Sequence, residues 1–296
     1  MRAGVAAAAV IGVLVLGATA VRFGPALVSV QAEEPGRPVV RVPKTVAGGP
    51  SRQPTSAMTF TPDLPLVQNS LYKAGRVPTV SCKLPAAAQT SKAAVSAAAA
   101  VVLDCLDRAW VPVVAKAEYL YESPGLVLFD RAKDKSCDLR ELHASAFYCS
   151  RENKIYLEWK EYLQRGSWNR QIDLLDTMAH EYGHHLQRLV GILTYGWDPK
   201  ASQTSPAALL KSRRIELQAT CFGAAFLGAT KTSLRLTGSR RATWEFQTKH
   251  SGDEYNPDKL RDHGSRTSQW RWAGPAFQSM SPASCNTFTA AQTKVS

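Results

Sequence analysis

The chain has 296 residues, enough for one large domain or two modest ones, and 45% of its residues are hydrophobic while 20% are charged. This composition excludes a largely disordered or collagen-like protein. Lysine and arginine outnumber aspartate and glutamate by 36 to 24, for a net charge of +12, but the basic residues are scattered and do not alternate with aromatic ones, so no nucleic-acid partner is expected.

The N-terminal segment has the features of an export signal. Residues 3–21 are almost entirely apolar and follow a single basic residue, Arg2. The Ala-Thr-Ala tripeptide at positions 18–20 has the pattern of small residues that signal peptidases require, and a second candidate site ends at Ala32. If neither is cleaved, the stretch is just long enough to anchor the protein in a membrane. We therefore interpret residues 1–32 as a signal peptide or signal anchor, and expect a secreted or extracytoplasmic protein, membrane-anchored if the segment stays uncleaved.

Residues 33–57 are rich in proline and glycine and have neither helical nor strand periodicity. Such a composition is typical of an extended linker. The folded domain is therefore predicted to comprise residues 58–296. It contains no internal repeat, which excludes solenoid and propeller folds.

All six cysteines lie beyond the apolar segment, and an even number in an exported chain favours disulfide bonds. The chain has no CxxC pair, so a cysteine metal site is the weaker alternative. We expect pairing in sequence order: Cys82 with Cys105, Cys137 with Cys149, and Cys221 with Cys285.

The first part of the domain combines a helix with a small sheet. Apolar residues recur at helical spacing over residues 93–117, which predicts a helix broken near Pro112. A strand is predicted over residues 120–129, and a hairpin from residues 146–149 and 154–157.

The second part is predicted to be mainly helical. One helix begins after Ser167 or Asn169, either of which could cap it, and runs to about residue 192. Another covers residues 206–227. The order of these elements predicts an α+β fold, with helices around one small sheet.

An HExxH motif, His180-Glu181-Tyr182-Gly183-His184, lies inside the first of these two helices. At 3.6 residues per turn, His180 and His184 lie on one face, where both imidazoles can bind one zinc ion. Glu181 is turned by about 100° from His180, so it is placed to reach a water molecule rather than to bind the metal. The opposite face is apolar and can pack in the core, through Leu175, Met178, Tyr182, Leu186 and Leu189.

A catalytic zinc ion takes three protein ligands and keeps one open position, so a third ligand must come from elsewhere in the chain. Our choice is Glu216, on the second helix, which is far enough downstream to pack antiparallel against the first. From the residues alone His250, Asp253, Asp262 and His263 remain competing candidates.

These segments together resemble the bacterial family named "putative neutral zinc metallopeptidase", whose pattern is a helical HExGHHxQ followed by ELQADC. The similarity extends over about residues 82–288. The segments that carry it are AHEYGHHLQ at 179–187, ELQATC at 216–221, the FYCSRENKIYL hairpin at 147–157, HGS at 263–265, Gln269-Trp270, and CNTF at 285–288, where the family has CDTF.

The resemblance implies a zincin-like metallopeptidase domain of the gluzincin type, with a small sheet, an active-site helix that carries HExxH and a second helix that carries the third ligand. His180, His184 and Glu216 would then bind one zinc ion per chain, and Glu181 would be the catalytic base. The implied activity is that of a zinc metalloendopeptidase, a hydrolase whose substrate is a peptide or protein.

Two positions depart from the family pattern, since Thr220 and Asn286 stand where the family has aspartate. An aspartate at position 220 would orient a ligand imidazole, and loss of such a partner typically costs 10- to 100-fold in metal affinity or activity. Thr220 can still form a hydrogen bond, but it carries no charge. Either another acid, with Asp176 one turn before His180 on the same face as the candidate, fills this role, or the site is weakened.

Two further histidines lie in the segments that carry the resemblance: His185 directly follows the HExxH motif, and His263 begins the HGS segment. His185 points about 100° away from His184, which favours a packing or supporting role over metal binding. His263, close to Tyr255 in sequence, is a candidate to donate a hydrogen bond to the oxyanion of the attacked carbonyl. A purely structural turn at residues 262–264 is the alternative.

The resulting hypothesis is an exported zinc-dependent peptidase. Glu181 takes a proton from a zinc-bound water, the water oxygen attacks the peptide carbonyl, and Glu181 returns the proton to the leaving amine. The strand within residues 148–157 could present an open edge to an extended substrate. The competing hypothesis, kept open by Thr220, is a catalytically weak or inactive zinc-binding envelope module that interacts with a partner. The sequence gives no indication of the oligomeric state.

Overall fold

The computed structural model describes residues 64–85, 90–130, 137, 144–163, 167–196, 204–255 and 260–296. The predicted signal segment, the predicted linker and the first residues of the predicted domain lie outside these ranges. Within them, every helix is either too short or too polar to cross a membrane.

Helices predominate over strands in the described ranges, and the fold is α+β, as predicted. In chain order the elements are α1 (Leu64–Val67), α2 (Lys92–Lys116), β1 (Gly125–Phe129), β2 (Ala146–Cys149), β3 (Lys154–Glu158), α3 (Ser167–Leu189), α4 (Ile192–Gly196), α5 (Pro206–Thr230), α6 (Gly238–Lys249) and α7 (Arg266–Ser279).

The three described strands form one mixed sheet in the order β1-β3-β2. β2 and β3 form the predicted antiparallel hairpin, with Tyr148 opposite Ile155. β1 pairs in parallel with the other side of β3. β3 is therefore the central strand, so within residues 148–157 the predicted open edge can belong only to β2.

Two predictions differ from the structure: the start of β1 and the break in α2. β1 begins at Gly125 rather than at residue 120, and Leu120 is 81% exposed. α2 is not broken but continues through Pro112. A proline inside a helix removes one backbone hydrogen bond, yet Trp110, Val113 and Val114 are buried around it, and their packing keeps the helix continuous.

α3 and α5 cross closely in antiparallel directions. Gly183 of α3 lies against Ala219 of α5, and Gly223 of α5 lies against Ala179. A Cβ atom on Gly183 would come within 2.6 Å of the Ala219 carbonyl oxygen, so the helices can approach this closely only because the residue is glycine. The crossing brings Glu216 of α5 opposite the HExxH face of α3.

Disulfide bonds join all six cysteines in the predicted order, as Cys82–Cys105, Cys137–Cys149 and Cys221–Cys285. The last of these connects α5 to the segment that follows α7. α5 is thereby fixed on two sides, by its contact with α3 and by a covalent bond to the C-terminal part of the domain.

Candidate metal centre

The three predicted metal ligands meet at the crossing of α3 and α5. The Nε2 atoms of His180 and His184 are 3.2 Å apart, and each lies 3.2 Å from Oε2 of Glu216. The side chain of His180 is 24% exposed, against 13% for His184. The site is therefore enclosed by the two helices and opens to solvent on the His180 side.

This donor set fits a zinc ion in both chemistry and spacing. Two imidazole nitrogens and one carboxylate oxygen are typical ligands of catalytic zinc. Ligand atoms placed tetrahedrally about 2.0–2.1 Å from zinc lie about 3.3 Å from one another. The three separations of 3.2 Å between the donor atoms agree with that value.

The charges of the metal-free cluster are strongly coupled. Burial lowers the pKa of His184, but the charge and hydrogen bond of Glu216, together with Glu181 and Gln187, outweigh burial and raise that pKa to about 9. Burial likewise raises the pKa of Glu216, but the positive charges of His184 and His263, together with hydrogen bonds to His180 and His184, outweigh burial and hold the pKa well below the usual carboxyl range. The cluster thus favours positive charge at its centre, where a metal cation would be held.

Glu181, the predicted catalytic base, is buried next to the cluster. Only 7% of its surface is exposed, and its negative charge contributes to the raised pKa of His184. By helix geometry its position is rotated about 100° from that of His180. A carboxylate in this position can act on a molecule bound at the cluster.

Thr220, rather than the candidate Asp176, hydrogen-bonds to the ring of His180. Nδ1 of His180 lies 3.2 Å from Oγ1 of Thr220. Asp176 instead accepts a hydrogen bond of 2.7 Å from Nε1 of Trp244, and burial raises the pKa of its carboxyl group. Thr220, which stands where the family has aspartate, therefore contacts the candidate ligand His180.

The ring of His184 is oriented by Gln187, to which the sequence analysis assigned no role. Its Nδ1 lies 2.9 Å from Oε1 of Gln187. Nε2 of Gln187 donates to the carbonyl oxygen of Ile215 at 2.8 Å and to Oε1 of Gln218 at 3.0 Å. Gln187 follows His184 by three residues and therefore lies on the same helix face, a spacing from which this contact could have been predicted.

Among the residues described, His263 is the one competing ligand candidate that the structure also brings to this cluster. Its Nε2 is 3.6 Å from Oε2 of Glu216, and its Nδ1 is 2.7 Å from Asp262. The side chain is 47% exposed, so it lies at the open side of the site. This position is compatible with the predicted contact to a reacting carbonyl.

Asp253 and His250 have local structural roles away from the cluster. Asp253 accepts hydrogen bonds from the backbone N–H groups of His263 and Gly264, at 3.0 and 2.8 Å, as expected for a structural turn. His250 stacks on the ring of Phe246. Donor atoms of Asp253, Asp262 and His263 lie within 4.8 Å of one another, but both carboxylate oxygens of Asp253 are already engaged by the backbone.

His185 does not face the cluster. It is fully buried, and its Nδ1 lies 3.2 Å from the hydroxyl of Tyr148 on β2. The rings of Tyr121, Tyr148 and Tyr182 surround it edge-on. The prediction of a packing or supporting role is confirmed.

Comparison with known proteins assigns the chain to a family. Residues 56–288 match the family described as "Putative neutral zinc metallopeptidase". An uncharacterized Escherichia coli K12 protein, YpfJ, is 26% identical over 208 residues, which cover 64% of this chain and 69% of that protein.

Mycobacterial relatives are slightly more distant. The uncharacterized proteins Mb2605 of Mycobacterium bovis and Rv2575 of Mycobacterium tuberculosis are each 24% identical over 209 residues, which cover 63% of this chain and 68% of each relative. No solved structure matches the chain. The match over residues 56–288 and the donor set at the crossing of α3 and α5 place the chain in the family described as "Putative neutral zinc metallopeptidase".

Proposed function

We propose that this protein is an exported zinc metalloendopeptidase with a zincin-like domain. The observation that carries the proposal is the meeting of His180, His184 and Glu216, with donor atoms 3.2 Å apart, beside the buried carboxylate of Glu181. The family match supports a hydrolase of this class.

His180 and His184 would hold one zinc ion through Nε2, and Glu216 would hold it through its carboxylate. When bound, zinc supplies a Lewis acid that polarises a peptide carbonyl and makes water more acidic. The orienting contacts at Nδ1 of both histidines leave each Nε2 directed at the metal position. These three side chains are fixed on helices, so the site needs little rearrangement to bind the ion.

Glu181 would be the general base. Its carboxylate accepts a proton from the attacking water and returns it to the nitrogen of the leaving amine, so it ends the cycle in its starting state. Its burial keeps bulk water from competing for that proton. At the open side, Nε2 of His263 can donate a hydrogen bond to the carbonyl oxygen as negative charge develops there.

The outer edge of β2 would bind the substrate backbone. β2 lies at one side of the described sheet, and its Tyr148 contacts His185 of α3. An extended peptide can add to such an edge through backbone hydrogen bonds. Because Tyr148 ties this strand to α3, a peptide bound there would be held at a fixed position relative to the HExxH helix.

Export is supported by the cysteines. Disulfide bonds involve all six of them, and such bonds persist in oxidising compartments outside the cytoplasm. The apolar segment at residues 1–32 would direct the export and, if uncleaved, would anchor the protein. N-terminal sequencing of the protein isolated from its host tests this: a start at residue 21 or 33 is expected for a cleaved signal, and a start at Met1 for an anchor. Recovery of the protein from the cytoplasm with its cysteines reduced would refute export.

The activity is tested with the oxidised full-length protein and its Glu181→Gln variant. We expect one zinc ion per chain in both proteins, and a fall in peptide cleavage of at least about 100-fold in the variant, since general-base catalysis contributes about 10²–10⁴-fold. Zinc content is measured by elemental analysis and cleavage with a quenched fluorescent peptide library. Glutamine has the size of glutamate, so a loss of cleavage reports on the missing proton acceptor.

Three further results would separate the competing functions. Stoichiometric zinc without cleavage in either protein would favour the non-catalytic zinc-binding module. The absence of zinc from the wild-type protein would refute the site itself. Equal cleavage by both proteins would remove Glu181 from the mechanism.

A further inference from the structure

A chain of hydrogen bonds leads from the ligand His180 to the loop that carries His263. Nδ1 of His180 lies 3.2 Å from Oγ1 of Thr220, which lies 3.0 Å from Oε1 of Gln269 on α7. Nε2 of Gln269 is 2.8 Å from the backbone carbonyl oxygen of His263. Gln269 is 2% exposed, so water cannot easily replace any of these partners.

The direction of each hydrogen bond follows from the last group. A backbone carbonyl oxygen can only accept, so the NH₂ group of Gln269 must face His263. Its Oε1 then faces Thr220 and can only accept, so the Thr220 hydroxyl donates its single proton to Gln269. The Thr220 oxygen is left to accept from His180, which requires the imidazole proton to be on Nδ1. Nε2 of His180 is then the unprotonated nitrogen, as metal binding requires.

The second ligand histidine has an equivalent arrangement. The carbonyl oxygen of Ile215 can only accept, so the NH₂ group of Gln187 faces it at 2.8 Å. Oε1 of Gln187 therefore faces Nδ1 of His184 at 2.9 Å. For His184 the neutral partner Gln187 is aligned directly by a backbone carbonyl, and for His180 the neutral partner Thr220 is aligned through Gln269. Each partner selects the imidazole tautomer that carries its proton on Nδ1.

We propose that Thr220 and Gln269 act as a coupled pair of positioning residues that holds His180 in its metal-binding tautomer. The pair performs, without a negative charge, the orienting function expected of the aspartate at this position in the family. This inference rests on the proposed zinc site. It predicts that Thr220 strengthens zinc binding in this chain and does not mark an inactive member of the family.

The test is a double-mutant cycle in the full-length oxidised protein, with the zinc dissociation constant as the readout. Thr220→Val keeps the shape of the side chain but removes the acceptor, and we expect zinc affinity to fall by about 10- to 100-fold. Thr220→Ser retains the hydroxyl and should restore affinity to within about threefold of wild type, on the same argument. Competition with a chelator measures the constant without reference to cleavage.

Gln269→Met removes the partner that fixes the Thr220 hydroxyl and retains a similar side-chain length. We expect a smaller loss of affinity, of several-fold, because the hydroxyl is then able to donate to His180 and favour the wrong tautomer. If the two residues act as a pair, the double variant should bind zinc about as weakly as Thr220→Val alone, since coupled residues are not additive.

The outcomes are distinct. Zinc affinity in Thr220→Val equal to that of wild type would overturn the inference and leave the proposed function intact. Strictly additive losses of affinity in the double variant would also overturn the inference, as would a failure of Thr220→Ser to restore affinity. A wild-type protein that binds no zinc would instead refute the proposed function, and the inference with it. Thermal unfolding of the metal-free variants identifies any loss of affinity that is due to a disrupted fold.

Discussion

His184 and His185 are neighbours in the chain but lie on different faces of α3, in opposite electrostatic surroundings. On His184, burial is overcome by the Glu216 carboxylate together with Glu181 and Gln187, which raise its pKa to about 9. His185 is enclosed by tyrosine rings, where burial, with a smaller contribution from Arg188, lowers its pKa to about 3. One side chain type thus serves as a candidate ligand on one face and as a neutral packing residue on the other.

The comparison shows that the charge of a histidine in this protein is decided by the element packed against it. α5 brings a carboxylate to the face that carries His184, whereas β2 and the segment before β1 bring tyrosine side chains to His185. A histidine cation next to a buried carboxylate is favoured, and one among aromatic rings without a counter-charge is disfavoured. The two histidines of the motif therefore lie in separate environments, one at the candidate metal centre and one in the packed interior.

The strongest test of this separation replaces each histidine by glutamine. His184→Gln should lose zinc affinity by at least about 100-fold, because one of three ligands is missing. His185→Gln should keep one zinc ion per chain with near wild-type affinity, and should lose about 1–3 kcal/mol of unfolding free energy, because its buried polar contacts are disrupted. Chelator competition measures the first quantity and denaturant unfolding of the metal-free proteins the second. Loss of zinc binding in His185→Gln without loss of stability would contradict the separation.

A further effect is expected in the pH dependence of metal-free stability. The folded-state pKa of His185 is lowered to about 3, so the unfolded chain binds more protons below its ordinary pKa of 6.5, and stability should fall as the pH drops from 6.5 towards 4. The contribution approaches about 1.4 kcal/mol per pH unit. The folded-state pKa of His184 is raised to about 9, so its contribution is complete below pH 6.5 and is lost as the pH rises through 9.

Denaturant unfolding of the metal-free proteins between pH 4 and pH 9.5 measures both contributions. The acid-side slope should be reduced in His185→Gln, and the alkaline-side slope in His184→Gln. Profiles of both variants that run parallel to that of the wild type would show that neither histidine has the expected pKa.

The placement of the candidate side chains along α3 could be predicted from the sequence, because the geometry of a helix follows from residue spacing alone. The positions of His180, His184 and Glu181 on α3 need only the period of 3.6 residues. The spacing of Gln187 also follows from that period. Glu216 is 36 residues from His180, and no local rule specifies how two helices meet, so its selection depended on the family resemblance.

Contacts that depend on packing could not be predicted. The contact of Gln269 with Thr220 requires α7 to lie beside α5, and the hydrogen bond that engages Asp176 comes from Trp244 of α6, 68 residues away in the chain. The continuity of α2 through Pro112 likewise reflects the buried side chains around the proline. In each case a tertiary contact decided between options that local sequence left open.

The run of residues 215–221 on α5 has a consequence for how this protein tolerates mutation. Each of these seven positions contacts a different partner. The first four are the Ile215 carbonyl with Gln187, Glu216 with His180 and His184, Leu217 with Gly264, and Gln218 with the Cys285 carbonyl. The last three are Ala219 with Gly183, Thr220 with Gln269, and Cys221 in its disulfide bond. A helix at a protein surface usually alternates between sensitive and permissive positions. In a complete mutational scan this stretch should instead appear as seven consecutive intolerant sites.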